Sequence, residues 1–448
     1  MKKNNNDIQL SDHFSYRKLF RFTLPSIAMM IFTSIYGVVD GFFVSNFADK
    51  TAFAAVNFIM PFLMMLGGLG FMFGTGGSAL ISKTMGEGNQ ERAQRQFSLI
   101  VYTSIGVSVM LSVVGILFLH SIAALLGAEG QMLTDCVRYG RVILAALPFF
   151  VLQMEFQTFF VTAEKPQLGL ISTIAPGVTN MVLDALLVGV LPFGLIGAAL
   201  ATAISQVMGG IIPLVYFSRP NDSLLHLGKT RMDGQVLLRT CTNGSSELLS
   251  NISMSLVGML YNAQLYSIAG EDGVAAYGVI MYVNFIFLSI FIGYVVGISP
   301  VVSYHFGAKN HAELKSLLRK SLVVIGICSL CMFMLAIVLA RPLSLIFVSY
   351  DPYLLAMTIR GFGIYSFSFL FSGLAIFGSS FFTALNNGLI SAVMSFLRTL
   401  VFQVIAVLWL PILLGGIDGI WLSIVVAELL AAVVTTIFLI CMRKKYSY

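Results

Sequence analysis

Five acidic residues interrupt apolar stretches of this 448-residue chain: Asp40, Glu155, Asp184, Glu247 and Glu428. An acid at mid-bilayer costs about 2.5–3.5 kcal/mol on insertion scales, so each is a candidate for function. Asp40 lies four residues from the outer end of its apolar run and Asp184 six from the outer end of another. At a helical rise of 1.5 Å both sit about 6–9 Å below the surface. Asn180 precedes Asp184 by one turn on the same helix face, Tyr36 precedes Asp40 by one turn, and Thr202 reaches about 12 Å depth from the same side. Two carboxylates held together in a low dielectric cannot both stay charged unless a cation joins them. Either a proton is shared, or Na⁺ binds and the Asn180 and Thr202 oxygens complete its cage. The spacing leaves a second reading open, in which Asp40 and Asp184 are interfacial residues reaching outer water.

The elements that must hold these groups are membrane helices. The chain is 58% hydrophobic and 10% charged, with a mean hydropathy of +0.91, whereas soluble domains are about a quarter charged. Runs long enough to cross a bilayer fall near 19–44, 52–80, 97–119, 134–160, 167–190 and 194–217, then near 236–268, 274–304, 318–340, 353–384, 389–414 and 417–442. The fold class is therefore all-α and polytopic, with twelve spans. The second six repeat the first at a constant offset of 221 residues. Ala54, Ala55, Ile59, Met60, Gly76, Ser78, Ser82, Gly86 and Asn89 recur as Ala275, Ala276, Ile280, Met281, Gly297, Ser299, Ser303, Gly307 and Asn310. Turn glycines and a loop asparagine match along with apolar residues, which marks duplication. The expected organisation is one six-helix lobe over 1–217, a polar linker over 218–235 and a second lobe over 236–448. Doubled membrane bundles keep their site between or within the halves, so this is the pattern of a transporter.

Twenty of the 26 Lys and Arg fall on the side of the termini and five on the other, with Arg398 inside a span. The positive-inside rule then puts both termini in the cytoplasm of a multi-pass plasma (inner) membrane protein. The net charge of +6 is spread over many short loops, which excludes a nucleic-acid footprint. No G-x-x-x-x-G-K-[ST] phosphate loop occurs, and GTGGSA at 74–79 reads as glycine packing within a span. Cys328 and Cys331 form a CxxC inside the ninth span, away from redox partners and water. The polar N-terminal residues 1–18 and a long first apolar run exclude a cleavable signal. The G-x-x-N turns at Gly86–Asn89 and Gly307–Asn310 read as hinges or as turns into surface helices. Prolines fall at expected span starts (Pro25, Pro342, Pro352) and inside spans (Pro61, Pro148, Pro176, Pro300), where they permit bends.

An Arg at about 13 Å depth is costly alone, so Arg398 is expected to pair with Glu247 or Glu428, pinning the second bundle more than coupling it. Glu155 is expected either to line the central cleft, attracting cationic substrates, or to pair. The 22 Met and 37 Phe permit a compliant apolar cleft for flat cations.

The pattern L-P at 24–25, Y-x-x-x-D at 36–40, Q-x-F-F at 157–160, N-x-x-x-D at 180–184 and G-A-A-L-A-T-A-I-S at 197–205 resembles the multidrug and toxic compound extrusion (MATE) family, near its MepA-like branch. The resemblance covers essentially the whole chain. It implies two lobes around a central cleft, rocking to exchange a hydrophobic cationic drug for H⁺ or Na⁺ without any cofactor. It places a cation site on Asp40, Asn180, Asp184 and Thr202, which would be the metal ligands if the ion is Na⁺. Tyr36, Tyr139, Glu155 and Gln157 become neighbours or cleft residues, and Pro25 the hinge of the first helix. The repeat offset from Asp40 and Asp184 lands on Tyr261 and Ile405, so coupling would be confined to the first half. Glu247, Arg398 and Glu428 form the polar set of the second half. The expected partners are small cations and the lipid bilayer, the protein acting as a monomer. The alternative is a lipid-linked glycan flippase of the same superfamily, which would want a cleft rich in Arg and Lys. A membrane enzyme would need a polar catalytic loop, and the five His are mostly peripheral.

Overall fold

The computed structural model describes residues 8–47, 50–191, 193–349 and 351–448, with the side chains of 41–47, 50–54 and 57 set aside. Lys2, Lys3 and the side chains of Lys50 and Ala54, used above for orientation and repeat, lie outside the described residues. The first bundle comprises α1 (Tyr16–Phe47), α2 (Lys50–Gly86), α3 (Gln90–Leu125), α4 (Gly130–Thr162), α5 (Pro166–Asp184) and α6 (Gly194–Ser218). The second comprises α7 (Gly234–Gly307), α8 (His311–Val348), α9 (Pro352–Ser366), α10 (Phe369–Ala384), α11 (Gly388–Phe396), α12 (Phe402–Leu414) and α13 (Ile417–Tyr446).

At 1.5 Å per residue the 74 residues of α7 would reach about 110 Å, several bilayer thicknesses. The helix breaks at Gly270, whose φ of 61° and ψ of −147° suit glycine alone. Residues 234–269 and 271–307 are thus two antiparallel spans. Helices α9 and α10, bent by 48° at their junction, form one span. With α11 and α12 continuous through a π turn (Leu397–Val401), the described residues make the twelve crossings read from the sequence. Pro342, expected at a span start, sits inside α8, and α1 continues to Phe47, which places Asp40 seven residues from its end. Helix α1 passes Pro25 without a break.

Asn89 and Asn310 cap α3 and α8, accepting from Arg92 N (3.0 Å) and Glu313 N (3.1 Å). The glycines one turn earlier do something the repeat alone does not disclose. A Cβ on Gly86 would strike the Tyr304 carbonyl, and one on Gly307 would strike the Lys83 carbonyl. Residues 83 and 304 are themselves related by the 221 offset, so the two contacts are one contact seen from each lobe. Gly76 lies against Thr240 and Gly244, while its repeat mate Gly297 lies against Thr23, the mate of Gly244. The repeated glycines therefore build the seam where the lobes meet on the face of the termini. Glycine there allows backbone-to-backbone approach, as small residues do between membrane helices.

A strap over residues 8–15 crosses this seam. Leu10 N donates to Glu164 Oε1 (2.7 Å) in the first lobe, and Phe14 N donates to Glu313 Oε1 (3.0 Å) in the second. Both Leu10 and Phe14 are fully buried. The non-helical stretch between α6 and α7 lies along α3 in the same manner, with Gly228 N donating to Ser98 Oγ (3.0 Å) and Leu225 fully buried.

Candidate functional site

Asp40 and Asp184 come together between α1 and the end of α5. Thr202 Oγ1 donates to Asp40 Oδ1 at 3.5 Å, and Asp184 and Asn180 face the same carboxyl group. Tyr36 lies beside Asp40, and Tyr139 lies beside both acids. Asp184 and Asn180 are buried, and both Asp184 oxygens and the Asn180 amide nitrogen lack a hydrogen-bond partner. No Lys or Arg among the described residues acts on either acid.

Three local features bring these groups to one point. Gly177, one turn before Asn180, lets the Phe32 and Tyr36 rings of α1 lie against α5, where a Cβ would collide with Phe32. Directly after Asp184 the helix widens into a π turn, Ala185–Val190, a geometry found most often at functional sites. Gly197 then seats α6 on the Leu187 carbonyl, setting Thr202 opposite α1. Against this cluster opens a cleft lined by Met60, Leu63, Met64, Tyr139, Ile143, Leu144, Leu147, Phe150, Thr202 and Gln206. Tyr139 and Thr202 belong to both. Sequence reading missed Gly177 and the Met60, Met64 and Phe150 wall; a glycine at helical spacing before Asn180 was the available signal for the first.

Two expected cleft residues are placed elsewhere. Glu155 is sealed inside the first lobe with no exposed surface, and it receives the Ser104 hydroxyl on Oε2 at 2.5 Å, so it neither lines the pocket nor pairs with a base. Gly74 lets α2 approach the Glu155 backbone of α4, and the carboxyl group turns to Ser104 of α3. Gln157 is likewise buried, with no partner for its amide, and does not line the pocket.

In the second lobe Arg398 Nε donates to Glu428 Oε2 (2.9 Å) and Oε1 (3.1 Å), and Arg398 also acts on Glu247. Arg398 lies within the π turn of the eleventh span, whereas the π turn of the fifth follows Asp184 and stands at a different repeat position. Tyr261, at the repeat position of Asp40, donates to Gln403 Oε1 (2.8 Å) and stacks on Tyr277. A neutral hydrogen bond thus replaces the acid pair in the second lobe. Replacing Arg398 by methionine would strand Glu428 without its countercharge. The expected loss is about 3–5 kcal/mol, read as a lowered midpoint in thermal unfolding of the purified protein, with Arg398→Lys recovering part of it. An unchanged midpoint would refute the pinning role.

Among the described residues no group of three or more His, Cys, Asp or Glu gathers as a metal cluster. The oxygen-only set around Asp40 suits a proton or a hard cation.

A duplicated twelve-span bundle with a seam between its halves and an acid pair within one of them is a membrane transport protein in form. The chain belongs to the MatE family, which it matches twice, over residues 25–186 and 248–409. It is 26% identical over 432 residues to the multidrug export protein MepA of Staphylococcus saprophyticus, covering 96% of this chain and 94% of that one. It is 25% identical over 438 residues to MepA of Staphylococcus aureus (strain MSSA476), with the same coverage. Among solved structures it is similar to an outward-facing multidrug resistance MATE transporter (TM-score 0.93, 20% identity, all of both chains). It resembles a MATE protein in a straight conformation at TM-score 0.92 (99% of this chain, 100% of that one) and in a bent conformation at 0.87 (100% of both), each at 21% identity.

Proposed function

We propose that this protein is a secondary antiporter that exports hydrophobic cationic compounds in exchange for H⁺ or Na⁺ by alternating access. The observation carrying the reading is a buried carboxylate, Asp184, beside the partly buried Asp40, neither with a basic partner among the described residues, adjoining a Met- and Phe-lined pocket through Tyr139 and Thr202. Such a pair demands a positive charge in low dielectric. Either the coupling cation or a cationic substrate supplies it, and competition between the two is antiport. Asp40 and Asp184 hold the cation, with Asn180 and Thr202 as neutral oxygen ligands, while Met60, Met64 and Phe150 receive the flat apolar body of the substrate.

With both termini cytoplasmic in the plasma membrane, the glycine seam would close the cytoplasmic side. Rocking of the lobes about that seam would carry the pocket to the other side, one monomer completing the cycle. A phosphate-bearing lipid would need basic residues in the pocket, and its lining has none, which weighs against the flippase alternative.

The test is ethidium movement in proteoliposomes under imposed gradients. An inwardly directed H⁺ or Na⁺ gradient should drive uphill ethidium export, and its collapse by the matching ionophore should stop it. Ethidium movement indifferent to both gradients would refute antiport.

A further inference from the structure

We propose that Glu155 is a second proton-carrying group of the transport cycle, taking up a proton from water on the terminus face when the lobe seam closes and returning it when the seam opens. The proposal rests on the antiport reading and adds to it a group remote from the Asp40–Asp184 site. Glu155 sits on α4 sixteen residues beyond Tyr139, about 24 Å away along the helix.

The placement argues for it. Glu155 has no exposed surface, one carboxyl oxygen receives the Ser104 hydroxyl and the other has no partner. Helix α4 is packed by α2, α3, α5, α6 and α7, and from none of them does a charged or titratable side chain act on Glu155 among the described residues. An ionised carboxylate in such a place has nothing to offset its lost hydration. Between the Glu155 backbone and the seam runs a short, glycine-rich stretch of α2, Gly74–Thr75–Gly76–Gly77. Gly74 faces the Glu155 backbone, where a Cβ would lie 3.1 Å from its Cα, and Gly76 faces Thr240 and Gly244 of the opposite lobe. When the lobes part, water reaches the far side of this run and the carboxyl group can ionise. Closing the seam therefore binds one proton and opening it releases one. By linkage, rising pH on the terminus face favours the open seam, by up to about tenfold per unit between the titration points of the open and the closed states.

Full-length protein in lipid nanodiscs, with its five cysteines replaced, would carry spin labels at Arg92→Cys on α3 and Lys315→Cys on α8. Asp40→Asn and Asp184→Asn in the same background silence the other site. His13 on the strap and Glu313 and His305 beneath it are the same in the chains with and without Glu155, so they do not enter the comparison. The expected result is a short inter-label distance at about pH 5 and a growing long-distance population toward about pH 9, with the component of up to about tenfold per unit lost in Glu155→Gln. Ser104→Ala should keep the response but move its midpoint, since the hydroxyl donates to the carboxyl group. A pH response in Glu155→Gln equal to that of the Glu155 chain would overturn the proposal, as would an unmoved midpoint in Ser104→Ala if the first variant does not fold. The readout needs neither drug nor gradient, so it is independent of a failure of the drug-export reading.

Discussion

Asp184→Asn is expected to reduce energised ethidium export to the passive leak. The substitution keeps shape and polarity but removes one of the two charges that create the demand for a cation. Asp184 has no exposed surface and no partner for either oxygen, so no neighbouring group can stand in for it. Exchange of one monovalent cation for another moves no net charge, so the chemical gradient drives it; one pH unit, or a tenfold Na⁺ gradient, supplies about 1.4 kcal/mol, enough for about a tenfold gradient of substrate. The variant forfeits that factor while still folding, because an amide beside Asn180 and Thr202 can exchange hydrogen bonds with them. Asp40→Asn should behave alike, and the double variant should be no worse than either single one, since the two acids act as one site. Additive losses, or Asp184→Asn export within twofold of wild type, would count against a shared cation.

The other large effect is expected at the seam. Gly307→Leu places a side chain against the Lys83 carbonyl, and Gly86→Leu places one against the Tyr304 carbonyl. Neither backbone can yield without parting α2 from α7. Overpacking of this kind costs about 1–3 kcal/mol, a shift of about 5- to 150-fold in the balance between closed and open seam. Because the two contacts are related by the repeat, both variants should shift that balance in the same direction and by similar amounts. Labelling of a cysteine placed at Thr240, on the terminus side of α7, should speed up correspondingly, while drug export slows. Gly106, which has open space around it, is the control, and Gly106→Leu should leave both readouts unchanged. Labelling that stays slow in Gly86→Leu and Gly307→Leu would show that these glycines do not hold the seam.

What was legible in the sequence follows from the kind of constraint each residue obeys. The spacing N-x-x-x-D puts Asn180 and Asp184 on one face at a computable depth, and burial of a charge is costly enough to single the acids out. The same cost argument foretold a partner for Arg398, which is Glu428. The 221-residue repeat was plain, yet its glycines could not be assigned to the seam, because a glycine that packs within a lobe has the same local sequence as one that packs between lobes. Glu155 was misplaced for a similar reason. An acid in a span announces its cost but not which helix covers it, and Ser104, Ser108 and Ser112, at four-residue spacing on α3, were the overlooked sign of a polar face turned toward α4. The break at Gly270 was legible, because it falls with Glu271 and Asp272 in the gap between the apolar runs 236–268 and 274–304.

The most direct test of the central claim is proton or sodium displacement by substrate at the Asp40–Asp184 site. Ethidium would be titrated into purified protein in weakly buffered detergent solution, recording pH and then repeating the titration across Na⁺ concentrations. The account predicts either release of about one proton per ethidium bound or a Kd that rises in proportion to Na⁺, as required when two cations compete for one site, and loss of the effect in Asp184→Asn. Ethidium binding that releases no proton and ignores Na⁺ in the wild-type protein would contradict it.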